Sequence, residues 1–225
     1  MKRLTFKNQT GFSVSLLMAT IMLLSISFVA CQGDDKEEDG YKITGQVENG
    51  NSNIATVKAI VDGYVLAKTD YSGGGFTIIL PVPDKEYLEQ INLGETVEAC
   101  MLDGFYAYNS KNSRLGQLAY AAVPSNKEVD LAVFIYTTKD FEVNGTSDGI
   151  DFNVSCKKGW NILYSISYAP DYEIVEFTTQ KPSGLRWLFL DDSSSSAPKQ
   201  TGVFPAAQAV DELRSAIGKL PIENE

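Results

Sequence analysis

Residues 150–156, Ile-Asp-Phe-Asn-Val-Ser-Cys, and residues 160–166, Trp-Asn-Ile-Leu-Tyr-Ser-Ile, place apolar side chains at every second position on either side of Lys157-Lys158-Gly159. A period of two is that of a half-buried strand, and it excludes an amphipathic helix, whose apolar positions recur every 3.6 residues. With a short glycine-containing link, the spacing predicts a hairpin. Residues 172–192 read the same way, with a turn at Lys181 to Gly184. Earlier in the chain Val57, Ala59 and Val61 point away from Lys58, and Asp62-Gly63 turns the chain into Val65 to Thr69. Gly73 to Gly75 then lead into Phe76, Ile78 and Leu80, a run ended by Pro81 and Pro83, which cannot donate ladder hydrogen bonds. Further strands are predicted over Thr96 to Leu102, Phe105 to Tyr108, Gly116 to Val123 and Val129 to Thr137.

These runs predict an all-β chain, a β-sandwich of mostly antiparallel strands over residues 41–137. A second β segment over 138–190 packs on the first or forms a small domain. Residues 85–93 read as a short helix or an irregular bridge. The tail, 191–225, opens as a polar Ser-rich loop; Ala206, Val210, Leu213, Ile217 and Leu220 then recur at the spacing of a short amphipathic helix.

The order of the first strands resembles that of carboxypeptidase regulatory-like, transthyretin-like domains. Gly45-Gln46-Val47 stands for their Gly-Xaa-Val first strand, and Thr69-Asp70 followed by Tyr71-Ser72-Gly73-Gly74-Gly75-Phe76 stands for their turn, one residue longer than the pattern. The resemblance covers about 40 residues and implies a transthyretin-like or immunoglobulin-like sandwich without implying any chemistry.

The N-terminus reads differently. Lys2, Arg3 and Lys7 precede Phe12 to Ala30, 19 residues without a charge, as in an export signal. Phe28-Val29-Ala30-Cys31, followed by Gln32-Gly33-Asp34-Asp35-Lys36-Glu37-Glu38, resembles the lipobox and acidic tether of Bacteroides-group surface lipoproteins, with Phe28 where leucine is usual. The resemblance implies a signal peptide over residues 1–30, cleavage before Cys31, a diacylglycerol thioether and an acylated amino terminus on that cysteine, and a flexible stalk over 31–40. More than one acyl chain makes such attachment stable. An uncleaved membrane helix and a buried structural cysteine are the competing readings. The lipid-anchored reading places the domain on the outer membrane, facing the cell exterior or, alternatively, the periplasm.

All 29 acidic residues and only 16 of the 19 basic ones follow residue 30, a formal charge of −13 there. Such a surface repels polyanions, and no basic stripe is present to displace counterions from nucleic acid. The chain has no histidine, which removes Ser-His-Asp chemistry, the usual zinc ligands and the commonest neutral-pH base. No metal or cofactor site is predicted; the acids between Asp34 and Asp39 lack the loop of an EF-hand. Carboxylate pairs suited to glycoside hydrolysis, Asp148 with Asp151, Glu173 with Glu176 and Asp191 with Asp192, are too many to choose among. Cys100 and Cys156 lie in apolar runs and are either disulfide-bonded or two buried thiols. Tyr106 and Tyr108, after Asp103-Gly104, are candidate ligand-binding rings.

The expectation is therefore a lipid-anchored, non-catalytic binding or structural module, with a glycan or an envelope protein as partner. A carboxylate-based hydrolase and a fimbrial or other surface-assembly component are the alternatives.

Overall fold

A computed structural model describes residues 40–92, 96–125, 128–147, 149–168 and 173–192. These residues are almost entirely β-strand: β1 (Tyr41–Glu48), β2 (Thr56–Val61), β3 (Tyr64–Ser72), β4 (Gly75–Leu80), β5 (Glu89–Asn92), β6 (Thr96–Met101) and β7 (Gly104–Tyr108). They are followed by β8 (Arg114–Ser125), β9 (Glu128–Thr137), β10 (Phe141–Ser147), β11 (Ile150–Cys156), β12 (Gly159–Tyr168), β13 (Glu173–Thr178) and β14 (Arg186–Asp191). Residues 85–92 hold a short 3-10 helix, Lys85–Tyr87, and then β5, so the short helix covers only the start of the segment and a strand follows it. The expected C-terminal helix and Cys31 lie outside the described residues.

Seven strands close into a barrel-like ring in the order β7, β8, β14, β1, β4, β3, β2 and back to β7. All neighbours in the ring are antiparallel except β1 and β14, which are parallel through Val47 opposite Trp187 and Glu48 opposite Leu188. The β2–β3 turn is made by Asp62 and Gly63, both at positive φ, as a two-residue hairpin on a right-twisted strand pair requires. Closure leaves that ring without a free edge. Inside it Ile43, Val57, Ala59, Phe76, Ile78, Leu80, Phe105, Ala107, Leu118 and Trp187 form one continuous apolar cluster.

Strand β8 leads out of the ring. One of its edges pairs with β14; along the other, its first half pairs with β7 and its second half with β9. From β9 the sheet runs on through β12, β13 and β11 to β10, and β6 with β5 attaches to the far end of β9. A second cluster forms where this extension covers β8: Ala119 and Ala121 meet Leu131, Val133, Ile135, Val143, Phe152, Val154, Leu163 and Phe177, with Leu188 and Leu190 of β14 packed alongside. Strand β9 therefore serves both clusters, Leu131, Val133 and Ile135 on one face and Ala132, Phe134 and Tyr136 on the other. This is why its sequence is apolar at nearly every position from Leu131 onward.

Two pairings differ from the sequence reading. Strands β11 and β12 are not hydrogen-bonded neighbours, because β13 lies between them, parallel to β11 and antiparallel to β12. The Lys157-Lys158-Gly159 link is still tight. Its turn is held by the Asn161 side chain, whose Oδ1 accepts from the Lys157 N–H at 2.9 Å and whose Nδ2 donates to the Lys157 and Gly159 carbonyls, and by Asp140, which accepts from the Lys158 N–H at 2.8 Å. Strands β13 and β14 likewise do not pair. After Gly184 the chain leaves the second sheet and β14 enters the ring between β8 and β1. Residues 41–137 thus leave a gap that a strand from beyond residue 137 fills.

The two cysteines occupy different clusters, Cys100 with the ring interior and Cys156 with the second core, and they are not joined by a disulfide. Of the two readings of this pair, two buried thiols is the one that holds and the disulfide is not formed: both cysteines sit in apolar strands, but in cores on opposite sides of the β9 layer. Burial pushes the Cys156 thiol up to about 12, which makes it inert as a nucleophile.

Candidate functional site

The second sheet covers the ring over β8 and β14, and among the described residues no strand packs on the outer wall of β3, β2 and β7. Alternation decides what that wall carries. Val57 and Ala59 point inward on β2, as do Phe105 and Ala107 on β7, so Thr56, Lys58, Tyr106 and Tyr108 point outward. Across the strands Lys68, Lys58, Tyr106 and Gln117 stand in one row, and Asp70, Thr56 and Tyr108 in the next.

Cations lie over both tyrosines. Lys58 Nζ is 4.0 Å from the centre of the Tyr108 ring, and Arg114 Cζ is 4.1 Å from that of Tyr106. Lys58 Nζ also donates to Asn112 Oδ1 at 2.5 Å. Asn112 sits at φ 62° in the β7–β8 turn, a conformation asparagine tolerates, and Asn109 Oδ1 holds that turn by accepting from the Lys111 and Ser113 N–H groups at 2.9 Å. Arg114 is gripped by both oxygens of Asp192, Nε to Oδ2 at 2.7 Å and Nη2 to Oδ1 at 3.2 Å. Thr56, Lys58, Lys68, Thr69, Asp70 and Asn112 line a shallow, open depression of about 650 Å³ on this wall.

The structure places the two tyrosines chosen from the sequence side by side on this wall, in different settings. Tyr106 is 8% exposed, and burial raises its phenol above the usual value while the Arg114 charge opposes the rise. Its hydroxyl lies 3.4 Å from the Asp103 carbonyl. Tyr108 is half-buried with its ring under Lys58. Neither ring is an open stacking platform. The groups that line the depression, Lys58, Lys68, Asn112 and Asp70, were not singled out from the sequence as a site. Lys58 was legible only as the outward residue of β2, and its neighbour Lys68 depends on the β2–β3 register.

Of the carboxylates paired in the sequence reading, two are engaged by other side chains. Asp151 accepts from Thr146 Oγ1 at 2.6 Å, Asp192 is held by Arg114, and Asp148 lies outside the described residues. Among the described residues no group of three or more acidic or cysteine side chains is disposed to hold a metal.

Asp130 on β9 is the exception in environment: it is 3% exposed, and its Oδ1 has no hydrogen-bond partner. Burial first, then the charges of Glu128 and Glu176, raises its carboxyl to about 6. The native state holds this proton up to about pH 6, whereas an unfolded aspartate releases it near 3.9. The native state therefore binds more protons in that window, and this group's contribution makes stability fall as pH rises from about 4 through 6. Asp130→Asn is expected to stabilise the protein at pH 8 by on the order of 1–2 kcal/mol and to lose that advantage near pH 4. Urea titrations at the two pH values check it. An equal effect at both would remove the titration as its cause.

Comparison with known proteins yields no relative from which to borrow a role: no family model, no curated protein and no solved structure matches this chain.

Proposed function

We propose that the protein is a lipoprotein, anchored in the outer membrane through Cys31 with its β domain at the cell surface, that acts as a non-catalytic binding or structural accessory module for a glycan or an envelope protein. The observation that carries the binding role is the outer ring wall of β3, β2 and β7. In a chain of net charge −10 it collects Lys58, Lys68 and Arg114 around Tyr106, Tyr108 and Asn112, above a solvent-open depression with hydroxyl and carboxylate groups at its margin. Ligand sites use a few placed polar groups of this kind to fix orientation. The anchor is supported by the charge-free run, Ala30-Cys31 and the acidic stretch that follows.

The finer fold assignment, a transthyretin-like sandwich, belongs to the same proposal. It is supported by Gly45-Gln46-Val47 lying in β1 and by the Gly73-Gly74 turn between β3 and β4, both glycines at positive φ.

Two measurements on cells expressing the full chain test the reading. Palmitate label carried by the wild type and lost in Cys31→Ala, with protease removal of the domain from intact cells, is the expected result; label that persists in Cys31→Ala overturns the anchor. The purified full-length protein in detergent is then applied to immobilised envelope and extracellular polysaccharides and assayed for new reducing ends. Saturable retention without new ends is expected. Ends that accumulate with time, and cease when one carboxylate is neutralised, would replace the module by a hydrolase.

A further inference from the structure

Lys58 and Lys68 stand directly opposite each other in the antiparallel β2–β3 pair. Like charges at facing positions of a sheet are destabilising. Neither ammonium is ion-paired with a carboxylate among the described residues: Lys58 donates to the Asn112 carboxamide and lies on Tyr108, and Lys68 lines the depression without a partner. Three other cations are ion-paired, Arg114 with Asp192, Lys157 with Asp140 and Arg186 with Glu48. The facing lysines are thus a local positive site that the chain's own carboxylates leave unneutralised. An oxyanion that draws the Lys58 ammonium from Asn112 and meets Lys68 as well would turn their repulsion into two charge-assisted hydrogen bonds.

The rest of the lining decides what carries that oxyanion. Thr56, Thr69, Asp70 and Asn112 present hydroxyl, carboxylate and carboxamide groups around the lysines, the donors and acceptors that sugar hydroxyls use. Asp70 faces Thr56 one row from the lysines. A polymer with a charge on every unit would bring its next anion toward that carboxylate and toward a chain of formal charge −13 beyond residue 30.

We infer that the depression between β2 and β3 binds a saccharide bearing one isolated acidic group, carboxylate or sulfate, with the oxyanion between Lys58 and Lys68 and neighbouring sugar hydroxyls against Asp70, Asn112 and the two threonines. The inference rests on the binding-module reading of the same wall and names its ligand class.

The test is a calorimetric titration of the full-length protein in detergent with cellobiose, cellobiouronic acid, cellobiose 6′-sulfate and inorganic sulfate alone. At least one acidic disaccharide is expected to bind about tenfold or more tightly than cellobiose and than inorganic sulfate. Lys58→Gln and Lys68→Gln are each expected to weaken it by about tenfold, as is raised salt. Which of the two acidic sugars binds identifies the source of the oxyanion. Equal binding of cellobiose, unaffected by either substitution, overturns the inference and leaves the module reading in place. Binding of sulfate alone as tightly as the sugars reduces the site to a bare anion site and overturns it as well. No binding of either acidic sugar overturns the inference, while the module reading stands or falls on polysaccharide retention. Circular dichroism of both variants establishes that a loss of binding is not a loss of fold.

Discussion

Trp187→Ala is expected to destabilise the protein by about 3–5 kcal/mol, the largest effect of any single truncation proposed for this chain. Trp187 is 5% exposed and occupies the middle of the ring. Its indole meets the edges of Phe76 at 5.0 Å and Phe105 at 5.3 Å and stacks on Tyr120 at 5.1 Å. Phe134 of β9 lies beyond, at 6.2 Å. Strands β4, β7, β8 and β9 therefore all lose an aromatic partner when the ring is removed. Each such contact adds about 0.5–1.5 kcal/mol to area burial alone. The same residue sits at the parallel β1–β14 seam, opposite Val47. Alanine would leave a cavity at the point where the ring closes. A fall of the denaturant midpoint with unchanged slope, followed by circular dichroism, is the expected signature. A loss below about 1 kcal/mol would mean that the ring is not organised around this side chain.

Gly45→Ala is expected to cost about 1–3 kcal/mol, for the opposite reason. Gly45 lies in β1, and a Cβ there would run into the Trp187 indole at Cδ1, Nε1 and Cγ. It does not have a positive φ, so space rather than backbone conformation excludes a side chain. The indole cannot easily retreat, because Phe76, Phe105 and Tyr120 hold it on other sides. The clash needs the indole, so the two substitutions should not add. In a Trp187→Ala background the added methyl enters the vacated space, and its cost should fall by about 1 kcal/mol or more, read as the coupling term of a double-mutant cycle. Strict additivity would show that Gly45 is needed for something other than room for Trp187.

How far the sequence went can be followed strand by strand. The alternation Ile150, Phe152, Val154, Cys156 correctly separates inward from outward side chains, as do Val57, Ala59, Val61 and Phe76, Ile78, Leu80: all of these are buried except Ile150, which is partly buried. Side-chain direction in a strand is a local property of the pleat. Asp62-Gly63 and Gly73-Gly74 were equally legible, because positive φ is a local demand that few residue types meet. What alternation does not contain is the identity of the neighbouring strand. Ile150–Cys156 and Gly159–Tyr168 read as a hairpin because they are adjacent in sequence, yet β13 takes the place between them. The choice depends on where Phe177 and Ile174 find a shared core with Phe152, Val154 and Leu163.

The candidate site shows the same division. Tyr106 and Tyr108 were read from the sequence as candidate ligand-binding rings, but their place on β7 and the cations over them, from β2 and from the start of β8, come from the tertiary structure. The facing of Lys58 and Lys68 exists only in one register of β2 and β3; a slip of one residue would send one of them to the other face.

The sequence by itself determined that this chain is built from strands, where several of its turns fall, which side chains several of its strands bury, and that histidine-based chemistry is absent from it. These follow from covalent geometry, residue type and period, which act over a few residues. Only the tertiary structure decided that β14 returns to close a seven-strand ring, that β9 is shared between two cores, and that two lysines face each other beside an aromatic pair on the outer wall of that ring. Those outcomes are set by burial of apolar surface between segments as far apart as Gly45 and Trp187, and no local pattern carries that information.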